Sequence, residues 1–287
     1  TDGLEAFVDV TEVVQVRDNE ARDVHLRFTR HGPVIHETET HAFAVRAGWM
    51  EPGMAPYFGS VEYMRAENWR EFVAALNRWG SPPENQVYAD IDGNIGYKPA
   101  GLLPRRNGWD GLLPGPGDGR YEWDGFFNMD VLPVEYNPQR GFTGSANSMN
   151  LPTDYPIARF PLGFEWSPSW RYDRMWNVLQ GQRQHNLDDS ARLQRDNRSL
   201  LALEAISRIP AGIEGPGVEM LRAWDGDLGT DSAAGAYYAV WYYQHLVPLL
   251  ARVLLPEAPH LVSGMDSNGA LRLMSEDRSY DAIAMSL

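Results

Sequence analysis

The chain has 287 residues and a mass of 32.3 kDa, enough for one large domain or two ordinary ones around a buried core. Its 25 basic and 39 acidic side chains give a net charge of −14, so nucleic-acid phosphates and anionic membrane surfaces would repel it. We therefore expect neither nucleic acid nor membrane as a partner. The absence of cysteine excludes disulfides, thiol nucleophiles and zinc–thiolate sites.

The first hundred residues have the pattern of strands around one helix. Apolar residues at spacings of three and four predict a helix over residues 66–79. Residues 86–91 and 95–98 flank Gly93, which tolerates positive φ, and so predict a hairpin. Short β-branched or alternating runs, typical of strands, occupy residues 13–16, 24–28 and 42–49.

Proline and aromatic residues dominate the next segment. Residues 99–168 hold ten of the 20 prolines, which disfavours a regular helix or a central strand. The segment is also rich in tryptophan, tyrosine and phenylalanine, so we expect an ordered, winding path packed on a larger body. We therefore assign residues 1–168 to a β-rich part and residues 169–287 to a helical part.

The second half has the composition of helices, with Asp188 and Ser232 as predicted N-caps. Residues 233–255 are apolar enough to suggest a bilayer span, but Arg252 and other polar groups favour a buried helix. Strands followed by helices predict the α+β class. The predicted helices cover residues 171–180, 188–209, 218–224 and 232–255.

Three patterns suggest a metal, and each has a simpler interpretation. His31, His36 and His41 are spaced by five. In an extended chain this spacing sends successive side chains to opposite faces, so the three imidazoles cannot converge on one metal without bends. Residues 90–101 resemble the start of a calcium loop but end in glycine where a bidentate glutamate belongs. Residues 225–231 contain three aspartates, which we interpret as a loop between helices.

Thr1 is a candidate nucleophile because a free amino terminus can act as the base for its own hydroxyl. The acidic and glycine residues that follow it show no sign of a site. The opening also has neither the basic nor the apolar run of a signal peptide.

A series of landmarks from about residue 30 to residue 240 resembles the penicillin acylase family, in the order in which that family has them. His-Gly-Pro-Val-Ile at residues 31–35 begins the series, and Trp-Asp-Gly at 224–226 ends it. Between them lie Tyr-Ala-Asp-Ile-Asp-Gly-Asn-Ile-Gly-Tyr at 88–97, Gly-Arg-Tyr-Glu-Trp-Asp-Gly-Phe at 119–126, Asn-Pro at 137–138, Gly-Phe at 141–142, Ser-Ala-Asn at 145–147, Tyr-Pro at 155–156 and Arg-Tyr-Asp-Arg at 171–174.

The resemblance implies an amino-terminal nucleophile hydrolase with a four-layer αββα sandwich. In that family a precursor is cut into two chains, and the new amino-terminal serine of the β chain attacks an amide. The β chain's opening motif does not occur here, so we expect residues 1–287 to be an internal piece of a β chain. The α chain and the remaining β-chain segments are then the expected partners, and a small acyl amide is the expected substrate.

The resemblance also implies two site residues. Asn147 matches the family's oxyanion asparagine, whose amide would stabilise the tetrahedral oxyanion of amide attack. Ser148 departs from the family's second asparagine. Arg174 matches a family arginine that supports the active site near this asparagine, with a salt bridge on the helix surface as its alternative interpretation.

Other family features are weaker, and no cofactor is predicted. The family's calcium would use a backbone carbonyl near Gly111 and a carboxylate where this chain has Arg159, so calcium is doubtful. Ser60 and Glu84 stand where penicillin G acylases have an apolar benzyl pocket, so phenylacetyl specificity is not supported. Acyl-homoserine lactones and lipopeptides are equally open as substrates.

Two other classes of function remain open from the residues. The many aromatic and acidic side chains also suit a carbohydrate-binding module or glycosidase, which needs two carboxylates about 5–10 Å apart in an aromatic cleft. An interaction scaffold would instead present a large exposed apolar face. By resemblance, the expected compartment is periplasmic or extracellular.

Overall fold

A computed structural model describes residues 3–53, 60–149, 151–164, 166–182, 184–257, 267–275 and 279–287. The chain divides into two compact units, which are described separately. The first comprises Thr1–Gly144 with Leu151–Glu165, and the second comprises Ser145–Asn150 with Trp166–Leu287. Thr1 lies outside the described residues, so its predicted role as a nucleophile stays a prediction.

The strands of the first unit are β1 (Val8–Val14), β2 (Arg22–Thr29), β3 (Gly32–Glu37), β4 (Ala42–Ala44), β5 (Glu84–Ala89), β6 (Ile95–Ala100), β7 (Pro104–Arg106), β8 (Trp123–Phe126) and β9 (Glu135–Tyr136). In the described residues they form three antiparallel sheets, in the orders β1-β2-β3-β4, β5-β6-β9 and β7-β8. Short helices connect them: α1 (Ser60–Tyr63), α2 (Trp69–Leu76) and two 3₁₀ turns.

Helix α2 forms where its apolar stripe can pack on a sheet. The Asn68 side chain accepts the N–H of Glu71 and caps its first turn. The buried stripe of Phe72 and Leu76 joins Trp79 and Ala100 in one cluster. The helix predicted over residues 66–79 is therefore confirmed, although it is shorter at both ends.

The β5–β6 hairpin matches its prediction, and Asp90 explains its turn. The Asp90 carboxylate accepts the N–H groups of Asp92 and Asn94 at 3.0 and 2.9 Å, and the amide of Asn94 at 2.8 Å. These bonds hold the pKa of Asp90 below its usual range, with the Asn94 side chain the largest cause. The apparent calcium loop is thus a hairpin turn.

Proline at the start of the winding segment is tolerated in a central strand. Pro99 lies in β6, which pairs with β5 on one side through Asn85. On the other side β9 pairs only with Gly96 and Tyr97, so Pro99 faces no ladder there. In the described part of the segment, apolar side chains pack in a cluster built on Leu103, Met129 and Leu132.

The second unit is helical, and its core is one large apolar cluster. Tyr238, Trp241, Tyr242, Leu246 and Leu250 are almost completely buried in it. Its helices are α3 (Trp170–Gln180), α4 (Leu187–Gln194), α5 (Leu200–Ser207), α6 (Pro216–Ala223), α7 (Ala233–Ala239), α8 (Val247–Leu254), α9 (Ser267–Met274) and α10 (Ser279–Ser286), with a π-helical segment, Val240–Leu246, between α7 and α8.

The α+β class is confirmed, and the Ser232 cap is confirmed by its bond from the N–H of Gly235. The single helix predicted over 188–209 is wrong. Asn186, not Asp188, caps α4, through a reciprocal capping box with Asp189. A second cap at Ser199 starts α5, so the chain turns between them.

Two further expectations concern the strand over residues 42–49 and the apolar stretch over residues 233–255. The strand predicted over residues 42–49 is wrong beyond Ala42–Ala44, because the chain turns into the 3₁₀ segment Gly48–Met50. In the described residues, no helix combines the length and apolar character needed to cross a bilayer. The four-layer sandwich stays a prediction, as does the division at residue 168.

Truncating Leu250 to alanine will test the second unit's core. Leu250 is fully buried, so we expect L250A to lower the free energy of unfolding by about 2–5 kcal/mol, through lost transfer energy and a new cavity. Urea unfolding followed by tryptophan fluorescence measures this. L187A is the control: Leu187 is 88% exposed, so its loss should cost under about 0.5 kcal/mol. Equal losses would contradict the placement of the core.

Candidate active site

The segment that carries Asn147 belongs to the helical unit, although strands precede it. The backbone carbonyl of Asn147 accepts the N–H of Ser167 at 3.1 Å. The Asn147 N–H donates to the Ser145 hydroxyl at 3.3 Å. The bond from Ser167 holds Asn147 beside the chain that leads into helix α3, and the bond to Ser145 closes a local turn.

Asn147 has the backbone conformation that asparagine tolerates best among side-chain-bearing residues. Its φ is +62°, in the left-handed region. The residue is exposed, whereas Ser148 beside it is buried. The Asn147 side chain therefore extends from a left-handed backbone at the surface.

Arg171, in the first turn of α3, contacts the oxygen of the Asn147 carboxamide. Its Nη2 donates to Oδ1 of Asn147 at 3.0 Å. A guanidinium has donors and no acceptor, so the amide atom that faces it must be the oxygen. The Nδ2 group is left pointing away from Arg171, and it donates to no atom of the described residues.

Arg174 lies one turn further along α3 and has a different partner. Its Nε and Nη2 donate to the two carboxylate oxygens of Asp196 at 2.9 and 2.5 Å. This bidentate pair raises the pKa of Arg174 and lowers that of Asp196. The ion pair joins α3 to the turn between α4 and α5. The supporting role predicted for Arg174 stays a prediction, and the structure places Arg171 on Asn147.

A polar cavity of about 390 Å³ opens beside this ion pair. Its wall includes Arg174 with Asp196, and Arg192 with Asp189. Each cation is matched by an acid, so the cavity offers no unbalanced charge to a ligand. Asn147 does not line it.

His31 has a different partner from His36 and His41. Nε2 of His31 lies 2.6 Å from Oε1 of Glu122. The rings of His36 and His41 each contact Phe43. In the parts of the chain that the structure describes, no group of three or more potential ligand side chains could hold a metal ion. Residues 225–231 form the loop between α6 and α7.

The predicted calcium position does not suit a cation. A Cβ on Gly111 would lie only 2.9 Å from Nε of Arg106, so a guanidinium occupies the space beside that backbone. Arg159 stacks over Phe160, with its guanidinium carbon 5.0 Å from the ring centroid. These residues do not fit calcium, since Arg159 stands where a carboxylate ligand is expected and a second cation, Arg106, lies beside Gly111.

The two predicted pocket positions are only partly described. Glu84 begins β5 and accepts a hydrogen bond from Nε2 of Gln86 at 3.0 Å. The side chain of Ser60 lies outside the described residues. Their role in substrate selection stays a prediction.

Sequence reasoning missed Arg171. Residues 171–174 contain two arginines three positions apart, and the resemblance selected the second. Only the path of the chain around Ser167 shows which one reaches Asn147. No local sequence pattern distinguishes the two arginines, because Asn147 lies 24 positions before Arg171.

Comparison with a solved structure shows the fold. A thermostable penicillin G acylase from Alcaligenes faecalis superposes with a TM-score of 0.63, over 90% of this chain and 48% of that one, at 22% identity. Penicillin G acylase of Escherichia coli is 31% identical over 173 residues, which are 59% of this chain and 20% of that protein. Acyl-homoserine lactone acylase QuiP of Pseudomonas aeruginosa is 26% identical over 274 residues, 80% of this chain and 30% of that protein.

The family model named penicillin amidase matches residues 1–283. The chain therefore belongs to the penicillin amidase family, a family of amide hydrolases, as its landmarks predicted. It spans between about a fifth and a third of the length of the curated relatives that it matches.

Replacing Asp196 will test the ion pair with Arg174. Because the folded-state pKa of Asp196 is lowered, its carboxylate stabilises the fold above its unfolded pKa of about 4, and this contribution is lost as the pH falls. We expect D196N to lower the free energy of unfolding by about 1 kcal/mol at pH 7. The difference from the parent should shrink below about pH 4. Urea titrations across that range measure it, with D231N as the control. A difference that does not change with pH would contradict the ion pair.

Proposed function

We propose that residues 1–287 form part of an enzyme that hydrolyses acyl amides, and that Asn147 donates a hydrogen bond to the oxyanion of the reaction. One observation supports this most: Arg171 holds the amide oxygen of Asn147, so Nδ2 is the carboxamide atom that is left to act as a donor. Attack on an amide carbonyl builds negative charge on its oxygen. A fixed donor stabilises that charge without first having to reorganise.

The remaining chemistry is assigned to polypeptide outside residues 1–287. An amino-terminal serine would attack the carbonyl carbon while its own α-amine takes the hydroxyl proton. The C–N bond then breaks, the amine leaves with that proton, and water hydrolyses the acyl-enzyme. Nδ2 of Asn147, with a backbone N–H of the other segment, would hold the oxyanion in both steps. We infer that residues 1–287 alone do not catalyse the reaction.

The substrate class we favour is an aliphatic acyl amide. The relatives' names include penicillin G acylase and acyl-homoserine lactone acylase. A serine at position 60 and a glutamate at position 84 would not form an apolar wall around a benzyl group. A polar pair at these positions argues against phenylacetyl specificity. We place the complete enzyme in the periplasm or outside the cell, assembled from the chains of one precursor.

The carbohydrate alternative has less support. Membership of the penicillin amidase family favours amide over glycoside hydrolysis. The exposed position of Asn147, at the surface of the second unit, also suits a donor that meets substrate there.

Truncating Asn147 in the complete protein tests the oxyanion role. We expect N147A to lower kcat by about 10²–10³-fold with little change in KM, because the lost bond forms chiefly in the transition state. Steady-state kinetics with a fatty-acyl amide measure both constants. N19A, at an exposed asparagine in the β1–β2 turn, should keep the parent's rate. Unchanged kcat in N147A would overturn the assignment.

A double-mutant cycle tests Arg171 as the positioning residue. R171A frees the carboxamide to rotate, so we expect kcat to fall by about tenfold or more with KM nearly unchanged. In the N147A background the same substitution should have almost no further effect on kcat, because its target is gone.

R174A is the matched control on the same helix. It breaks the pair with Asp196, so its effect on kcat should add to that of N147A. The opposite pattern, with R174A coupled to N147A and R171A additive, would assign the role to Arg174.

A further inference from the structure

The β1–β2 hairpin has one apolar face, which consists of Val8, Val10, Val14, Val24, Leu26 and Phe28. The register pairs Val8 with Phe28 and Val10 with Leu26, and further along the hairpin it pairs Val24 with Glu12 and Val14 with Arg22. Because side chains alternate along a strand, all six lie on one side of the sheet.

The opposite face of the same hairpin is polar and internally paired. Nε of Arg27 donates to Asp9 at 2.7 Å, and its Nη1 donates to Glu37 at 3.0 Å. Thr11 lies 3.0 Å from the Nδ1 atom of His25 across the two strands. This side is satisfied in water, so the hairpin is a two-sided element whose polar side is the solvent side.

Among the residues that the structure describes, nothing covers most of this apolar face, and only Val10 and Phe28 are half-buried. Val8 is 61% exposed and Val14 47%, and Val24 and Leu26 are exposed between them. A hairpin of this kind gains its stability by burying one face. Exposed apolar side chains grouped on one face of a hairpin are typical of a surface that another polypeptide covers.

We propose that this apolar face is the docking surface for polypeptide of the same precursor that lies outside residues 1–287. This inference rests on the proposed function, because the precursor's other segments supply the nucleophile. At least two thirds of each relative's length lies outside the matched region, as does 52% (100 − 48) of the solved neighbour, so much polypeptide is available to cover it.

The net charge of the chain favours this occupant over a second copy of the chain. Two copies, each with a net charge of −14, would bring together a combined net charge of −28. The face itself is balanced, since Glu12 and Arg22 are its charged positions and have opposite signs. An apolar strand or helix face with few charges of its own therefore fits it.

Cysteine labelling in the complete precursor-derived protein tests the proposal. The natural absence of cysteine from residues 1–287 makes L26C and D23C single sites within this region. The two positions lie on one strand and face opposite sides. Each maleimide labelling rate, read from the labelled peptide by mass spectrometry, is divided by the rate of the same variant in denaturant.

We expect L26C to label at least about tenfold more slowly than D23C, because reaction would require the covering segment to open. A benzophenone attached at position 26 identifies the occupant, and the expected crosslink joins a peptide from outside residues 1–287. Equal labelling rates, or a crosslink within residues 1–287 of the same or a second copy, would overturn the proposal. Activity of the same preparation is measured separately, so a fully active protein with an unprotected L26C refutes the docking surface alone.

Discussion

A single hydrogen bond, from Arg171 to Oδ1 of Asn147, determines which atom of that carboxamide is left to donate, and the proposed oxyanion role depends on it. An asparagine side chain can present either its oxygen or its N–H₂ group, and the two have opposite effects on a developing oxyanion. Because a guanidinium has donors and no acceptor, the carboxamide atom that contacts Arg171 must be the oxygen. The left-handed backbone at Asn147 and the bond from Ser167 bring the carboxamide within reach of the guanidinium.

The rest of the second unit gives this bond a rigid base. Helix α3 carries Arg171 at its start and Arg174 one turn later, where Asp196 ties the helix to the α4–α5 turn. Behind them, a core of buried aromatic and aliphatic side chains holds the helices together. Positioning by a core and an ion pair suits catalysis, because small displacements of a donor cost much of its effect.

Much of the fold followed from sequence patterns, and the exceptions have physical causes. The β5–β6 hairpin and the α2 helix were predictable because their signals, Gly93 in a turn and an apolar stripe at helical spacing, are local. The break between α4 and α5 was missed because Ser199 ends a continuous helical pattern by capping a new helix. The landmarks predicted Asn147 as a site residue, which stays a prediction, whereas its contact with Arg171 depends on the path of the chain in space and could not be predicted.

The most direct measurement is a structure of the complete protein with a tetrahedral phosphonate adduct on its nucleophilic serine. The account predicts that Nδ2 of Asn147 lies about 2.7–3.1 Å from an adduct oxygen, while Oδ1 stays on Arg171. A carboxamide turned so that Oδ1 faces the adduct, or one that makes no contact with it, would contradict the account.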